Sequence, residues 1–413
     1  MESHYRTWVQ LDGRAVPYDE VRDDPDGSEW LLSRAWADKS ARCLCQRPSP
    51  LPLVTRCRSG RYSLACWPRT GARHDPRCAF HRLDPELTGQ TAYQLSAIRP
   101  TDDGGALIKF AGPLTSTLAE ATDEPITRST NPALGRSSIG PTGLLHYLWE
   151  ESGLTTWHPG NHGRTWALVT AMLRDHIAGC TINGQPGSDV LYVVPPYTRG
   201  TDNTIAFDTW LGTLNSTPTH KRRGFVLGVL ERTTQTTYGH RYQLAGQRAR
   251  QVFVRTTLHE RLLSSYRSAM SKAAADADGR RVLFAYVERS AKGYTVAVDA
   301  SLMLTNHLWI PADSSHEVRA ADALVKAKRA FVKPLIYDRE DLVLPDFVLT
   351  DEDPYAVFEV WGRTDKDYLA RKRDKQAFYA GKHLYEWNVD GPMPSLTHPR
   401  TAERDRRSSP HES

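Results

Sequence analysis

The chain has 413 residues, 39% hydrophobic and 24% charged, with a formal net charge of +5. That length allows about two to four domains with cores of ordinary size. No apolar run approaches the roughly 18 residues that span a bilayer, and the start "MESHYRTWVQLDG" lacks a basic-then-apolar signal pattern, so a cytoplasmic protein with no membrane partner is expected.

Residues 28–40, "SEWLLSRAWADKS", read as a short helix. Five of the six cysteines follow between Cys43 and Cys78. Such clustering inside an intracellular chain points to metal before disulfides. Cys43-Leu44-Cys45 precedes a strand, "LPLVTR", a turn at Ser59-Gly60 and a second strand, "RYSLACW". His74, Cys78 and His81 then fall in "HDPRCAFH". A hairpin flanked by Cys-x-Cys and His-x-x-x-Cys presents four soft ligands on two knuckles, the closed tetrahedral set that suits structural Zn²⁺. The expected ligands are Cys43, Cys45, His74 and Cys78, with His81 as the alternative to His74. Cys57 and Cys66 read as packing residues. Residues 1–90 are thus expected to carry a small zinc-ribbon-like module.

Residues 91–140 form a mixed segment, and "ATDEPITRSTNPALGRSSIGPTG" (121–143) is the best linker in the chain. A region over 141–310 opens with two helices, "GLLHYLWEESGL" and "GRTWALVTAMLRDHIAG". The second sets Trp166, Val169, Met172, Leu173, His176 and Ile177 at helical spacing. The pair could read DNA as a helix-turn-helix or simply pack as core, and His158 and His162 in "WHPGNHG" could bind metal or simply belong to a Pro/Gly loop. Beyond about 190 the chain turns β-rich: "DVLYVVPPY", "GFVLGVLERT" and "GHRYQLAG" read as strands, and "RRVLFAYVERSAKGYTVAVDA" as a hairpin. A helix is expected over 258–277. Basic clusters at 220–224, 246–251 and 363–375 offer a nucleic-acid surface, though each alone reads as a solvated face. The tail 392–413 has little apolar content and is expected to be disordered.

Residues 311–391 are the most informative. "SSHEVRAADALVKAKRA" has serines able to cap a helix. "FVKPLIY", "LVLPDFVL" and "YAVFEVWG" read as strands, "TDKDYLARKRDKQAFYAG" as a helix and "HLYEWNV" as a last strand. The order is α-β-β-β-α-β. By alternation, Val357, Glu359 and Trp361 share one strand face, and Leu342, Leu344 and Asp346 share one face of the strand before it. An acid between Phe358 and Val360 needs a partner or a metal to offset its desolvation.

This order, with Glu317 on the first helix, Pro345-Asp346 on the second strand and Glu359 on the third, resembles the core of the PD-(D/E)xK, or restriction-endonuclease-like, superfamily. The resemblance implies a multidomain α/β protein ending in a nuclease-like domain. Asp346, Glu359 and the Val360 carbonyl would hold Mg²⁺ or Mn²⁺, and Glu317 would assist. The superfamily's lysine two residues beyond the glutamate is here Trp361. On the next helix Tyr368, Lys372, Lys375 and Tyr379 fall on one stripe, and superfamily variants reading Glu-x-Trp-Gly resemble forms whose lysine has moved there. Lys375 is the expected catalytic lysine, ahead of Lys372 and Lys333. The implied function is metal-dependent hydrolysis of nucleic acid, DNA first. The alternative is an inactive nuclease fold that binds DNA or serves as a scaffold. The whole pattern over 28–390 also resembles an uncharacterised bacterial family often carried on plasmids and mobile elements.

Overall fold

The computed structural model describes residues 6–398 except 47, 59, 68–69, 83–96, 102, 118–137, 161–162, 200–202, 218, 336–343, 353–354, 363–371, 374, 377–378 and 380. Among the described residues the strands form four sheets. The chain is mixed α/β, as its sequence implies.

The first sheet runs Arg14–Pro17, Trp8–Leu11, Arg42–Cys43, Leu51–Arg58, Arg61–Cys66. Asp12 and Gly13 both take positive φ (48° and 76°) at its first turn, as a tight Asp-Gly hairpin demands. The helix Glu29–Ala37 lays Leu32 and Ala35 on Val9, Leu11, Leu51 and Leu53. This small core fixes Cys43, which pairs with Val9 across the sheet.

The segment 91–140 contributes strands to two other sheets. Ala106–Ile108 pairs in parallel with Cys180–Ile182, and Thr115–Thr117 pairs with the start of the strand His220–Thr236. The linker expected at 121–143 lies mainly outside the described residues, and Pro141 already begins a helix.

The middle of the molecule is an eight-stranded sheet. Its long strands His220–Thr236, Arg280–Arg289 and Thr295–Thr305 are apolar on both sides. Period-two alternation divides them: Phe225, Leu227, Val282, Phe284 and Tyr286 enter one core, while Val226, Leu283, Ala285 and Val287 enter another. Helices Pro141–Glu151 and Trp166–Ile177 cover the first face, and Asn203–Thr213 and Thr256–Ser265 the second. The first pair packs as core, with Trp149 fully buried. The single helix expected over 258–277 is three short ones. The break has two causes. Tyr266 turns to give its hydroxyl to Ser301, and Ser271 starts a new helix by accepting from the Ala274 N–H.

The fourth sheet is Leu384–Asn388, Ala356–Trp361, Phe347–Leu349, Phe331–Val332 and Thr156–Trp157. The first two run parallel and the other neighbours antiparallel. The helix Ser315–Lys326 packs its Ala320, Ala321 and Leu324 against Phe331, Phe347 and Phe358. The second strand is Phe347–Leu349, so Asp346 stands just before it, and residue 342 of the expected strand lies outside the described residues. Of the helix expected over 364–380, only Lys372, Arg373, Lys375, Gln376 and Tyr379 are described. The tail is not disordered through 392–398, where Leu396 is buried.

Arg329 ties this end of the molecule together. It is fully buried, pairs with Asp351 at 2.8 Å and with Glu352, and donates to the Leu396 carbonyl. Removing one partner of a buried pair strands the other charge. Arg329→Met is expected to lower unfolding stability by about 3–5 kcal/mol in urea titrations.

Candidate functional site

Two side-chain constellations carry chemistry. The first is in the N-terminal module. Cys43 ends a strand, Cys45 follows in the next turn, His74 comes after the short 3-10 turn Gly71–Arg73, and Cys78 closes a turn on the Asp75 carbonyl. Their three sulfurs and one imidazole nitrogen all lie within 4.8 Å of one another. The Cys43 and Cys78 sulfurs are 3.4 Å apart, and His74 Nδ1 is 3.3 Å from Cys45 Sγ. The Phe80 N–H points at Cys78 Sγ, 3.4 Å away.

The electrostatics suit a cation. Hydrogen bonds from Cys43 and Cys78 hold Cys45 well below the usual thiol range, while burial and then its sulfur neighbours push Cys78 well above it. Three thiols this close cannot ionise together without a shared positive charge. The Cys₃His set could hold a metal such as zinc, and it fits a closed structural site. His81 stays outside. It contacts the His74 carbonyl at 3.3 Å, and burial pushes its pKa down to about 4. Cys66 borders the set, 3.7 Å from His74 Nε2, where it can steady the ring. Cys57 is exposed and faces Tyr62 across the hairpin, away from the cluster.

The second constellation lies on the fourth sheet. Phe347 pairs with Phe358, so Asp346 and Glu359 fall side by side at the end of that ladder. Glu359 is 1% exposed. Its Oε2 accepts from Lys375 Nζ at 2.9 Å, and the same ammonium is 4.0 Å from Asp346 Oδ1. Asp346 Oδ2 accepts the Val360 N–H at 2.7 Å. A strand residue sends its N–H and C=O to the same edge, so the Val360 carbonyl faces this side as well. Among the described residues, Glu359 Oε1 is buried with no hydrogen-bond partner. Burial, and then the Asp346 charge, push the Glu359 carboxyl up to about 8 against the pull of Lys375.

Trp361 braces the same corner. Its indole N–H donates to Glu386 at 2.8 Å, and Gln376 donates to that carboxylate. The Lys372 ammonium lies 4.8 Å from its ring centre and reaches Asn388 Oδ1 at 2.9 Å. Lys375 lies 6.0 Å from the ring.

Glu317 and Lys333 form a neighbouring pair. Lys333 Nζ is 2.9 Å from Glu317 Oε2 and 2.8 Å from Asp313 Oδ2. Burial raises the Glu317 carboxyl to about 7 against the attraction of Lys333, with Asp313 and Asp346 adding to the rise. Asp346, Glu359 and Lys375 thus come together, while Glu317 meets Lys333 instead of their oxygens. The Asp313 contact was missed from sequence; its only signal was a place just before the capped helix.

The basic clusters fare differently. Arg223 pairs with Glu288, Arg248 with Glu231 and Arg250 with Asp208, and 247–254 is a sheet strand. Most of 363–375 lies outside the described residues. Among the described residues, no helix is long and apolar enough to cross a membrane.

Residues 18–390 match a family described as a protein of unknown function, DUF1173, and the chain belongs to that family. No curated protein and no solved structure matches it.

Two outcomes follow from these geometries. Elemental analysis should find about one zinc per chain, lost in Cys43→Ser and Cys78→Ser and kept in Cys57→Ser. The Glu359 carboxyl is raised in the folded state, so the folded protein binds its proton more tightly than the unfolded one. Thermal stability without added divalent cation should therefore fall as pH rises from about 4.5 to about 8. That slope should flatten in Glu359→Gln.

Proposed function

We propose that this member of the DUF1173 family is a metal-dependent nuclease that hydrolyses phosphodiester bonds in nucleic acid, DNA first, in a DNA-processing setting such as a mobile element. The observation that carries the reading is the convergence of Asp346, Glu359 and Lys375, with a Glu359 oxygen left buried and unpartnered. A buried carboxylate oxygen without a donor is costly unless a proton or a cation meets it. The order of helix, three antiparallel strands and a parallel last strand also supports the restriction-endonuclease-like reading.

Asp346, Glu359 and the Val360 carbonyl supply the hard oxygen ligands that Mg²⁺ or Mn²⁺ prefers. A divalent cation there supplies charge stabilisation at the phosphate and makes a bound water easier to deprotonate. The chain does the rest. Lys375 is held between the two acids and donates either to the attacking water or to a non-bridging phosphate oxygen. Water oxygen bonds to phosphorus as the bond to the ester oxygen breaks; the attacking water gives its proton to solvent, and the leaving oxygen takes one from solvent. Glu317, paired with Lys333, sets the field behind Asp346. Trp361 fills the position of the usual lysine and, with Glu386 and Gln376, props the helix that brings Lys375 in.

The same brace is what favours the alternative, an inactive nuclease fold that binds DNA or scaffolds other proteins. Lys375 is already matched by Glu359, and a closed ion pair is a stable resting arrangement. Cleavage of supercoiled plasmid and single-stranded DNA with Mg²⁺ or Mn²⁺ decides between them. Wild type is expected to nick, and Asp346→Asn, Glu359→Gln and Lys375→Met to lose about 100-fold or more. Intact plasmid with wild type, alongside DNA binding indifferent to these three changes, would establish the alternative.

A further inference from the structure

The middle region holds a cavity of about 720 Å³, inside the range that takes a small organic ligand. It opens between the start of the helix Trp166–Ile177, the turn at Tyr197 and the strand at Gln247.

Arg164 on its wall is 7% exposed. Its guanidinium donates to the carbonyls of Leu154, Gly153 and Thr156 and sits over the Trp157 ring. Among the described residues, no carboxylate pairs with it. Burial holds it down, to about 10, and the charge of Arg22 adds to that. A buried cation satisfied by carbonyls alone keeps its charge uncompensated. Arg248 and Arg280 also line the cavity, balanced by Glu231 and Asp278. Three arginines and, among the described residues, no Asp or Glu line the space, which therefore favours an anion.

The remaining wall is aromatic. Trp309 lies against Trp166, with ring centres 4.8 Å apart and planes tilted by 49°. It takes φ +63°, a backbone that bulky residues adopt only when their surroundings force it. Asn306 does the forcing: its side-chain oxygen accepts from the Leu308 and Ile310 N–H groups on either side. Tyr197 stands 73% exposed at the cavity's lining. Gln247 is 3% exposed, and among the described residues its side-chain oxygen has no partner. An uncompensated arginine, flat apolar faces and an amide with bonding capacity to spare are complementary to phosphate, ring face and polar ring edge.

We infer that this cavity is a nucleotide-binding site, in which a nucleobase stacks on the aromatic wall, its polar edge meets the Gln247 amide and its phosphate turns toward Arg164. The nucleotide is either free or one unstacked residue of a nucleic-acid strand. The site is separate from the acidic constellation, and the inference does not rest on nuclease activity.

Titration calorimetry of the full chain without added divalent cation tests it, with AMP and a short single-stranded deoxyadenylate as probes. Glu359→Gln protein is titrated beside wild type, so a failed nuclease reading leaves the result intact. At least one probe should bind, and Tyr197→Ala and Gln247→Met should each weaken it roughly ten-fold. Tyr197 is exposed, and Gln247→Met removes an unsatisfied polar group, so both variants should melt no lower than wild type. Binding of AMP alone supports a free nucleotide, and tighter binding of the strand supports a nucleotide within one. Absence of heat with both probes at millimolar concentration, or affinities unchanged in both variants, would overturn the site.

Discussion

A carboxylate buried in the middle of an apolar strand governs the C-terminal part of this molecule. Glu359 lies between Phe358 and Val360 at 1% exposure, where an isolated charge would cost several kcal/mol, on the order of a domain's net stability. The surroundings answer in three ways. Lys375 supplies an ammonium, the Val360 N–H holds Asp346 nearby, and the remaining Glu359 oxygen stays unmatched. The last of these is the departure from ordinary structural practice, in which buried polar atoms are paired. Structural needs alone would favour an apolar residue at 359, because well-packed side chains replace buried ion pairs with little loss.

The N-terminal module obeys the same rule with softer atoms. Its core is a handful of aliphatic side chains under one nine-residue helix, small for independent stability. Three sulfurs and an imidazole gathered within 4.8 Å would add repulsion among thiolates if nothing joined them. A cation turns that repulsion into cross-links between the Cys43–Cys45 turn and the His74–Cys78 turn, which are 29 residues apart at their nearest contact. In the N-terminal module the four side chains fall at a strand end and in turns, whereas Glu359 sits inside its strand with Asp346 just before the neighbouring one.

Much of this was legible because it is local. Cys-x-Cys and His-x-x-x-Cys reveal themselves by spacing, the Ser314 cap by its serine, and the long hairpin 280–305 by alternation. Lys375 was legible through helical period, since residues three and seven apart share a face. The rest depends on contacts distant in sequence. The edge strand Thr156–Trp157 joins the C-terminal sheet through Phe331, and two residues of strand carry no periodicity. The Asp12-Gly13 hairpin did have a signal, a tight-turn dipeptide between apolar residues, but a region read only for its lack of a leader hid it. The strand 247–254 was masked by its arginines, whose partners Glu231 and Asp208 come from other elements. A charge run reads as a surface until its counter-charges are known.

The cavity in the middle region belongs to the same long-range class, and its position gives it a mechanical relation to the acidic site. Arg164 holds the Thr156 carbonyl and lies against Trp157, and those two residues are the outer strand of the sheet that carries Glu359. The adjoining Thr155 carbonyl takes the N–H of Lys333, whose ammonium faces Glu317 and Asp313. On the other side, Trp309 precedes Asp313 by four residues, with a short paired strand between. Arg164, the edge strand and Lys333 thus form a continuous run of contacts from the cavity lining to Glu317 and Asp313.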